Sequence, residues 1–194
     1  MEGLSQRCSE IFVKYKIVPE DERDIYVYGF ELLFTTLFST VSILAAGLFM
    51  KKIAEAFIFI AVFFVLRMFS GGYHADTHWG CFLITNAVFF VSTGLEEALR
   101  GFPVPVQIVL VLASAVFIWM FAPMVHPNQP LTPEKFSKNR KYTRICLFMA
   151  IIMAGLLYAL AQARFASSVE SAVIMVCMMM VIKQKRRKKY VEIT

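Results

Sequence analysis

Long apolar runs alternate with short polar segments along the whole chain. Three of the runs hold 19 residues each without a charge: 32–50, 104–122 and 145–163. A helix needs about 20 such residues to cross a bilayer. Three weaker runs are shorter or include an acidic or basic residue: 53–69, 80–95 and 165–182. The pattern predicts six transmembrane helices.

The third run, 80–95, fits a membrane span least well. Its 16 residues would make a helix of about 24 Å, which is short of a hydrocarbon core of about 30 Å. We therefore expect either a short span partly buried among its neighbours or one that continues into the polar segment before it. A re-entrant segment is the alternative.

Composition indicates the same class of protein. Of the 194 residues, 58% are hydrophobic and 18% are charged, and the mean hydropathy is +0.63. Soluble domains are about 45–50% apolar and about 25% charged, and one globule of this size has too little interior for so many apolar residues. A soluble enzyme, a disordered chain, collagen and a disulfide scaffold are excluded. The sequence predicts an all-α polytopic membrane protein.

Basic residues are distributed unequally between the two sides of the predicted bundle. With six spans, both termini and the loops 67–79 and 123–144 lie on one side, which carries 16 of the 20 Lys and Arg residues. The positive-inside rule makes that side cytoplasmic. We expect a multi-pass protein of the cell membrane with both termini in the cytoplasm. Anionic lipid, and not nucleic acid, is the expected partner of the basic charge.

The chain is predicted to form a single integral membrane domain over residues 1–194. Residues 1–29 mix apolar and charged positions, which is typical of an amphipathic helix lying in the membrane interface, and they lack the apolar core of a signal peptide. Residues 30–182 form the predicted transmembrane bundle, and 183–194 form a basic cytoplasmic tail.

One polar segment at the predicted cytoplasmic boundary concentrates reactive side chains. It reads RMFSGGYHADTHWGC from Arg67 to Cys81, and polar groups at membrane depth are costly enough to indicate function. Cys81 opens the third apolar run. In the first turn of a helix, unpaired N–H groups and the helix dipole favour the thiolate, which is the nucleophilic form. The alternative is that Cys81 is a small buried hydrophobe.

Two histidines compete as the base for Cys81. His78 precedes the cysteine by three residues, so the two would be neighbours on a regular helix. His74 precedes it by seven residues, about 10 Å along a helix axis, and can serve only if the backbone folds back between them. The upstream glycine pair and the turn-forming residues between them permit such a break. Spacing alone slightly favours His78, and interfacial histidines without a catalytic role are the alternative.

A metal site has weak support in this sequence. His74, Asp76, His78 and Cys81 include residue types that bind zinc, but no second cluster accompanies them. The four cysteines also lack the C-x-x-C spacing of a thiolate site. We predict no metal and no other cofactor.

A second polar feature, at 123–141, combines prolines with basic residues. Four prolines over eleven residues stiffen the entry to the basic run. Basic loops usually set topology by meeting lipid phosphate, but they would equally suit an acidic peptide arriving from the cytoplasm. The basic residues in question are Lys135, Lys138, Arg140 and Lys141.

The Arg67–Cys81 segment resembles the signature of the accessory gene regulator protein B (AgrB-like) family of peptidases. The matching pattern is an arginine, then Gly71-Gly72-x-His74-Ala75-x5-Cys81. The later Ala122-Pro123 element, the length, the span count and the basic tail are also similar. Thr85 stands where family members often carry serine.

The resemblance implies a membrane-embedded cysteine endopeptidase of Gram-positive bacteria that processes a small AgrD-like precursor for quorum sensing. It implies that His74 is the base and Cys81 the nucleophile, against the slight preference for His78 drawn from spacing. Cys81 would cleave the precursor on its C-terminal side and retain an acyl-enzyme thioester. A precursor Cys or Ser side chain would then close a thiolactone or lactone ring.

The resemblance also suggests supporting roles. Backbone N–H groups of the Gly71-Gly72 turn, or of the start of the third span, would hold the oxyanion. Arg67 would pair with Asp76 or with substrate. The four basic residues of 135–141 would meet the acidic end of the precursor. A homodimer is compatible with the sequence.

A small non-enzymatic peptide transporter or exporter is the main alternative. Six spans are compatible with one. However, the acids of the predicted spans, Glu31, Glu55 and Glu170, lie near span ends, and no span carries paired charges within the membrane.

Overall fold

The computed structural model describes residues 2–15, 17–72, 77–124 and 132–191. These residues form seven α-helices in the following order: α1 Glu2–Lys14, α2 Arg23–Phe49, α3 Ile53–Ser70, α4 His78–Gly101, α5 Val104–Phe121, α6 Pro133–Ala159 and α7 Ala163–Val191. Within the described residues, the six helices α2 to α7 are long and apolar enough to cross a membrane. The predicted all-α polytopic membrane fold is therefore confirmed.

The third spanning helix is longer than the sequence pattern predicted. α4 covers 24 residues, about 36 Å. It begins two residues before the apolar run and continues six residues beyond it. The extension holds Glu96, which lies 3.8 Å from Arg100, and Glu97, which lies 2.6 Å from Lys52. The third span is therefore not short: it continues into the polar segment before it, as the second of the two expectations had it, and also beyond Leu95.

Two helices of the bundle extend into regions that the sequence assigned to a loop and to the basic tail. α6 starts at Pro133, with Thr132 as its N-cap, so the basic run 135–141 is helical. Proline is favoured at the first position of a helix because its missing N–H is not needed there. α7 continues to Val191 and includes most of the predicted basic tail.

The described residues cluster into two compact units, one within 1–46 and 74–87 and the other within 47–73 and 88–194. In the first unit, α1 packs against the start of α2. The rings of Phe12 and Phe30 meet edge to face at 5.3 Å, and Arg23 pairs with Glu10 at 3.0 Å. The α1 side chains Leu4 and Ile11 remain exposed, which suits the predicted interfacial position.

In the second unit, α7 is the central helix, and α3, α5 and α6 all pack on it. Small side chains on α7 allow this close packing, including Ala166, Ser167 and Ala172, which are fully buried. On α3, Phe59 and Phe63 are buried and stacked at 4.9 Å.

Candidate active site

Cys81 is the fourth residue of α4 and is half-buried. Thr77 caps the helix, because its hydroxyl oxygen accepts a hydrogen bond from the Gly80 amide at 3.1 Å. The Cys81 amide donates to the Thr77 carbonyl at 2.9 Å. The thiol therefore lies in the first turn of a capped helix, the position at which the helix dipole favours an anion.

The hydroxyl of Thr85 contacts the backbone of the same turn. Thr85 is buried, and its Oγ1 donates to the Cys81 carbonyl at 2.8 Å. Because the hydroxyl bonds inside its own helix, it holds the carbonyl of the cysteine residue and does not point away as a separate reactive group.

His74 and Asp76 lie outside the described residues, and so do residues 125–131 of the proline-rich loop. His78 is the first residue of α4. The choice between His74 and His78 as the base therefore stays a prediction, as does the pairing of Arg67 with Asp76. Arg67 itself is buried near the end of α3, with its guanidinium 5.5 Å from the centre of the Phe63 ring.

The glycine pair ends α3 and contacts a distant part of the chain. The Gly71 amide donates to the Arg67 carbonyl at 3.0 Å, and the Met124 amide donates to the Ser70 carbonyl at 2.8 Å. Gly71 and Met124 form a parallel β-bridge. Gly71 has φ 69° and ψ −162°, a conformation that essentially only glycine adopts. A Cβ atom at this position would lie 2.5 Å from the Met124 carbonyl oxygen.

The C-terminal part of α7 contacts the same place. Lys183 Nζ donates to the Met124 carbonyl oxygen at 3.1 Å. Gly72 is buried, and a Cβ there would lie 3.7 Å from the Met179 Cβ. We call Ser70, Gly71, Gly72, Met124 and Lys183 the glycine joint. It holds the chain at the point from which the segment carrying His74 departs.

Hydrogen bonding narrows the candidates for an oxyanion hole. The amides of Gly71, Gly80 and Cys81 each already donate within the protein. They are therefore not available to a substrate oxyanion in this conformation. The Gly71 amide closes the last turn of α3, and the source of the oxyanion donors stays a prediction.

The four basic residues assigned to the substrate lie on the first turns of α6, not in a loop. Lys135, Lys138, Arg140 and Lys141 are all exposed. Lys138 pairs with Glu134 one turn earlier at 2.8 Å, with both side chains largely in solvent. Such an exposed pair contributes little to stability, so the cluster remains accessible to an acidic partner.

A set of buried polar groups in the second unit was missed by the sequence reasoning. Glu55 is 2% exposed and forms an ion pair with Arg164. Glu170 is also buried and accepts a hydrogen bond from the Tyr158 hydroxyl at 3.2 Å, and this hydroxyl also contacts Gln107. The Glu55–Arg164 pair joins the first turns of α3 and α7, so it lies at the span ends, where the sequence placed Glu55. The sequence signal for this ion pair was limited to an acidic residue, Glu55, near the start of one span and a basic residue, Arg164, near the start of another.

Comparison with known proteins gives a consistent result. The family profile described as accessory gene regulator B matches residues 5–183. A putative AgrB-like protein of Clostridium perfringens is 27% identical over 171 residues, covering 82% of this chain and 80% of the relative. Protein FsrB of Enterococcus faecalis is 26% identical over 63% of this chain and 52% of its own length.

A staphylococcal relative matches over a similar share of the chain. The accessory gene regulator protein B of Staphylococcus saprophyticus is 23% identical over 66% of this chain and 67% of its own. No solved structure matches the chain. The family profile includes both the Arg67–Cys81 segment and the glycine joint. The chain therefore belongs to the accessory gene regulator B family, whose members act in quorum sensing.

Proposed function

We propose that this protein is a membrane-embedded cysteine endopeptidase that cleaves an AgrD-like quorum-sensing propeptide and cyclises the product. The observation that carries the proposal is the position of Cys81. It lies half-buried in the first turn of a capped membrane helix, directly after the polar segment that carries both candidate bases. Membership of the accessory gene regulator B family supports the same chemistry.

The proposed reaction has two acyl-transfer steps. His74 takes the proton of the Cys81 thiol, and the thiolate sulfur attacks the carbonyl carbon at the C-terminal side of the signal portion. The peptide C–N bond breaks, the acidic C-terminal segment leaves as an amine that accepts the proton from His74, and a thioester remains on Cys81. A precursor thiol or hydroxyl then gives its proton to His74 and attacks the thioester carbonyl carbon. The C–S bond to Cys81 breaks, a thiolactone or lactone forms, and His74 returns the proton to the Cys81 thiolate.

The remaining residues support this chemistry in the proposal. The glycine joint, with Gly71 and Gly72, holds the start of the His74 segment. Arg67 and Asp76 support the site. The exposed basic residues of α6, namely Lys135, Lys138, Arg140 and Lys141, attract the acidic end of the precursor. Because 16 of the 20 basic residues fall on one side in a six-span topology, we place both termini and this site on the cytoplasmic side. The homodimer stays a prediction.

The test uses the full chain reconstituted in lipid vesicles with an AgrD-like precursor, and mass spectrometry of the cleaved segment. We expect Cys81→Ser and His74→Ala to abolish cleavage at unchanged protein abundance. Cys8→Ser, a cysteine in α1, is the matched control and should keep full activity. Continued cleavage in both Cys81→Ser and His74→Ala would refute the proposal.

A second measurement tests the base and the intermediate separately. If His78→Ala abolishes cleavage while His74→Ala retains it, the assignment of the base is reversed.

A precursor whose ring-forming residue is replaced by Ala cannot cyclise, so the acyl-enzyme should accumulate on Cys81. Its thioester should be visible as an added mass that hydroxylamine removes.

A further inference from the structure

A groove runs between α5 and α6 in the second unit. Both helices pack on α7 but contact each other at few points, so the space between them stays open. The groove has a volume of about 380 Å³ and is lined by apolar side chains. The lining includes Leu112, Val116 and Trp119 on α5, and Leu147, Phe148 and Ile151 on α6.

One end of the groove carries a positive charge. The guanidinium of Arg144 lies 4.4 Å from the centre of the Trp119 ring. Arg144 Nε is buried and has no hydrogen-bond partner among the described residues. A buried N–H donor without a partner is costly, so a ligand with acceptor oxygens at this point would stabilise the site. Arg140 and Lys141, on the preceding turn, are exposed.

This charged end lies at the level expected for lipid headgroups. Arg144 is the last charged residue of α6 before the uncharged stretch that begins at Ile145. Trp119 is the third-last residue of α5, which ends at Phe121. Tryptophan is enriched at membrane interfaces. From this pair the apolar groove runs towards the middle of the spans, about 10 Å from Trp119 to Leu112.

We propose that the groove is a specific binding site for an anionic phospholipid. The phosphate accepts hydrogen bonds from the Arg144 guanidinium, and one acyl chain lies along the apolar side chains between α5 and α6. Basic pockets between transmembrane helices are a known way of binding anionic headgroups. The site is independent of the peptidase chemistry proposed above.

Charge distinguishes this occupant from the alternatives. A second copy of the chain placed symmetrically on this face would bring its own Arg140, Lys141 and Arg144 against the same residues, and like charges repel. A zwitterionic lipid has the same phosphate, but its ammonium group would bring a second positive charge close to the Arg144 guanidinium. An anionic lipid satisfies both the apolar groove and its basic end.

The native tryptophan at the end of the groove provides the test. The chain has two tryptophans, so Trp79→Phe leaves Trp119 as the only emitter. The purified full chain in detergent micelles is titrated with phosphatidylglycerol or phosphatidylcholine, each carrying dibrominated acyl chains that quench tryptophan on contact. One basic residue near the surface contributes about 1 kcal/mol to binding anionic lipid. We therefore expect phosphatidylglycerol to quench Trp119 at about a fivefold lower mole fraction.

Variants of the basic residues separate a site from general surface charge. Arg144→Gln should remove most of the preference, and Arg144→Lys should restore most of it. Lys141→Gln is the matched loss of one charge outside the groove and should leave the preference nearly intact. An equal effect of Lys141→Gln and Arg144→Gln would overturn the proposal, because only diffuse charge would then be at work.

Two further outcomes would also overturn it. Equal quenching by both lipids in the Trp79→Phe protein, which needs no change at Arg144, would exclude specific recognition of an anionic headgroup. Absence of quenching together with a dimeric protein mass by light scattering would show that a second copy covers the groove. The comparison of the two lipids decides the question even if Arg144→Gln fails to fold.

Discussion

A single methyl group at Gly71 is expected to disturb the glycine joint strongly. Gly71 adopts φ 69° and ψ −162°, and placing another residue type in such a region costs about 1–3 kcal/mol. The new Cβ would lie 2.5 Å from the Met124 carbonyl oxygen, which is backbone and cannot rotate away. The Met124 amide to Ser70 carbonyl bond of 2.8 Å would have to lengthen or break, at about 1 kcal/mol. We expect Gly71→Ala to destabilise the protein by about 2–4 kcal/mol.

Thermal unfolding in detergent measures this loss. For 150–250 residues, each 1 kcal/mol shifts Tm by about 2–4 °C, so Gly71→Ala should lower Tm by roughly 4–16 °C. Gly155→Ala is the matched control. Gly155 is in α6, and a Cβ there meets nothing within 4 Å. It should change stability by no more than about 1 kcal/mol, in the stabilising direction.

Cleavage of the precursor measures whether the joint also positions the site. Well below the lowered Tm, the variant is still folded, and we expect its cleavage rate to fall more than its folded fraction. Lys183→Met, which removes the donor to the Met124 carbonyl oxygen at 3.1 Å, should show a smaller loss of the same kind. If Gly71→Ala unfolds at the wild-type temperature and cleaves at the wild-type rate, the close approach to Met124 is wrong.

Three other substitutions test the packing of the second unit by thermal unfolding. Gly47→Ala would bring its Cβ to 2.6 Å from the Ala56 Cβ, so we expect it to lower the free energy of unfolding by about 1–3 kcal/mol. An unchanged Tm would contradict the close contact between Gly47 and Ala56. Arg164→Gln leaves Glu55 buried without its cation and should cost about 2 kcal/mol, below the value for a fully buried pair because Arg164 is half exposed. The double variant with Glu55→Gln should recover part of this loss of stability. If it recovers none, the Glu55–Arg164 ion pair does not stabilise the protein. Tyr158→Phe removes the hydroxyl that two buried side chains contact and should cost about 1–3 kcal/mol, so a neutral result would argue against that network.

The sequence was sufficient to predict the number and type of the spanning helices. Apolar runs of bilayer length have one stable form in a membrane, because every backbone N–H and C=O must bond within its own segment. The helix ends were less predictable. The run 80–95 ends at Leu95 by hydropathy, but α4 continues to Gly101. In this extension Glu96 pairs with Arg100 and Glu97 pairs with Lys52. Lys52 is 45 residues away from Glu97 along the chain.

The candidate site was predictable in its residue types but not in its contacts. The sequence placed Cys81 near a helix start because a glycine and a polar segment precede an apolar run. It did not reveal that Thr77 caps that helix and that Thr85 holds the cysteine carbonyl. It also treated the glycine pair as a local turn, whereas Gly71 pairs with Met124, which is more than 50 residues away along the chain.

The sequence alone determined that this is a membrane protein, that its fold is helical, and which of its residues are capable of nucleophilic chemistry. These follow from local composition, which depends on residues close together in the chain. Only the tertiary structure decided which polar groups are satisfied by which partners, including Glu55 with Arg164 and Met124 with both Gly71 and Lys183. Such contacts join residues that are distant along the chain, and they form only when helix packing brings those residues together.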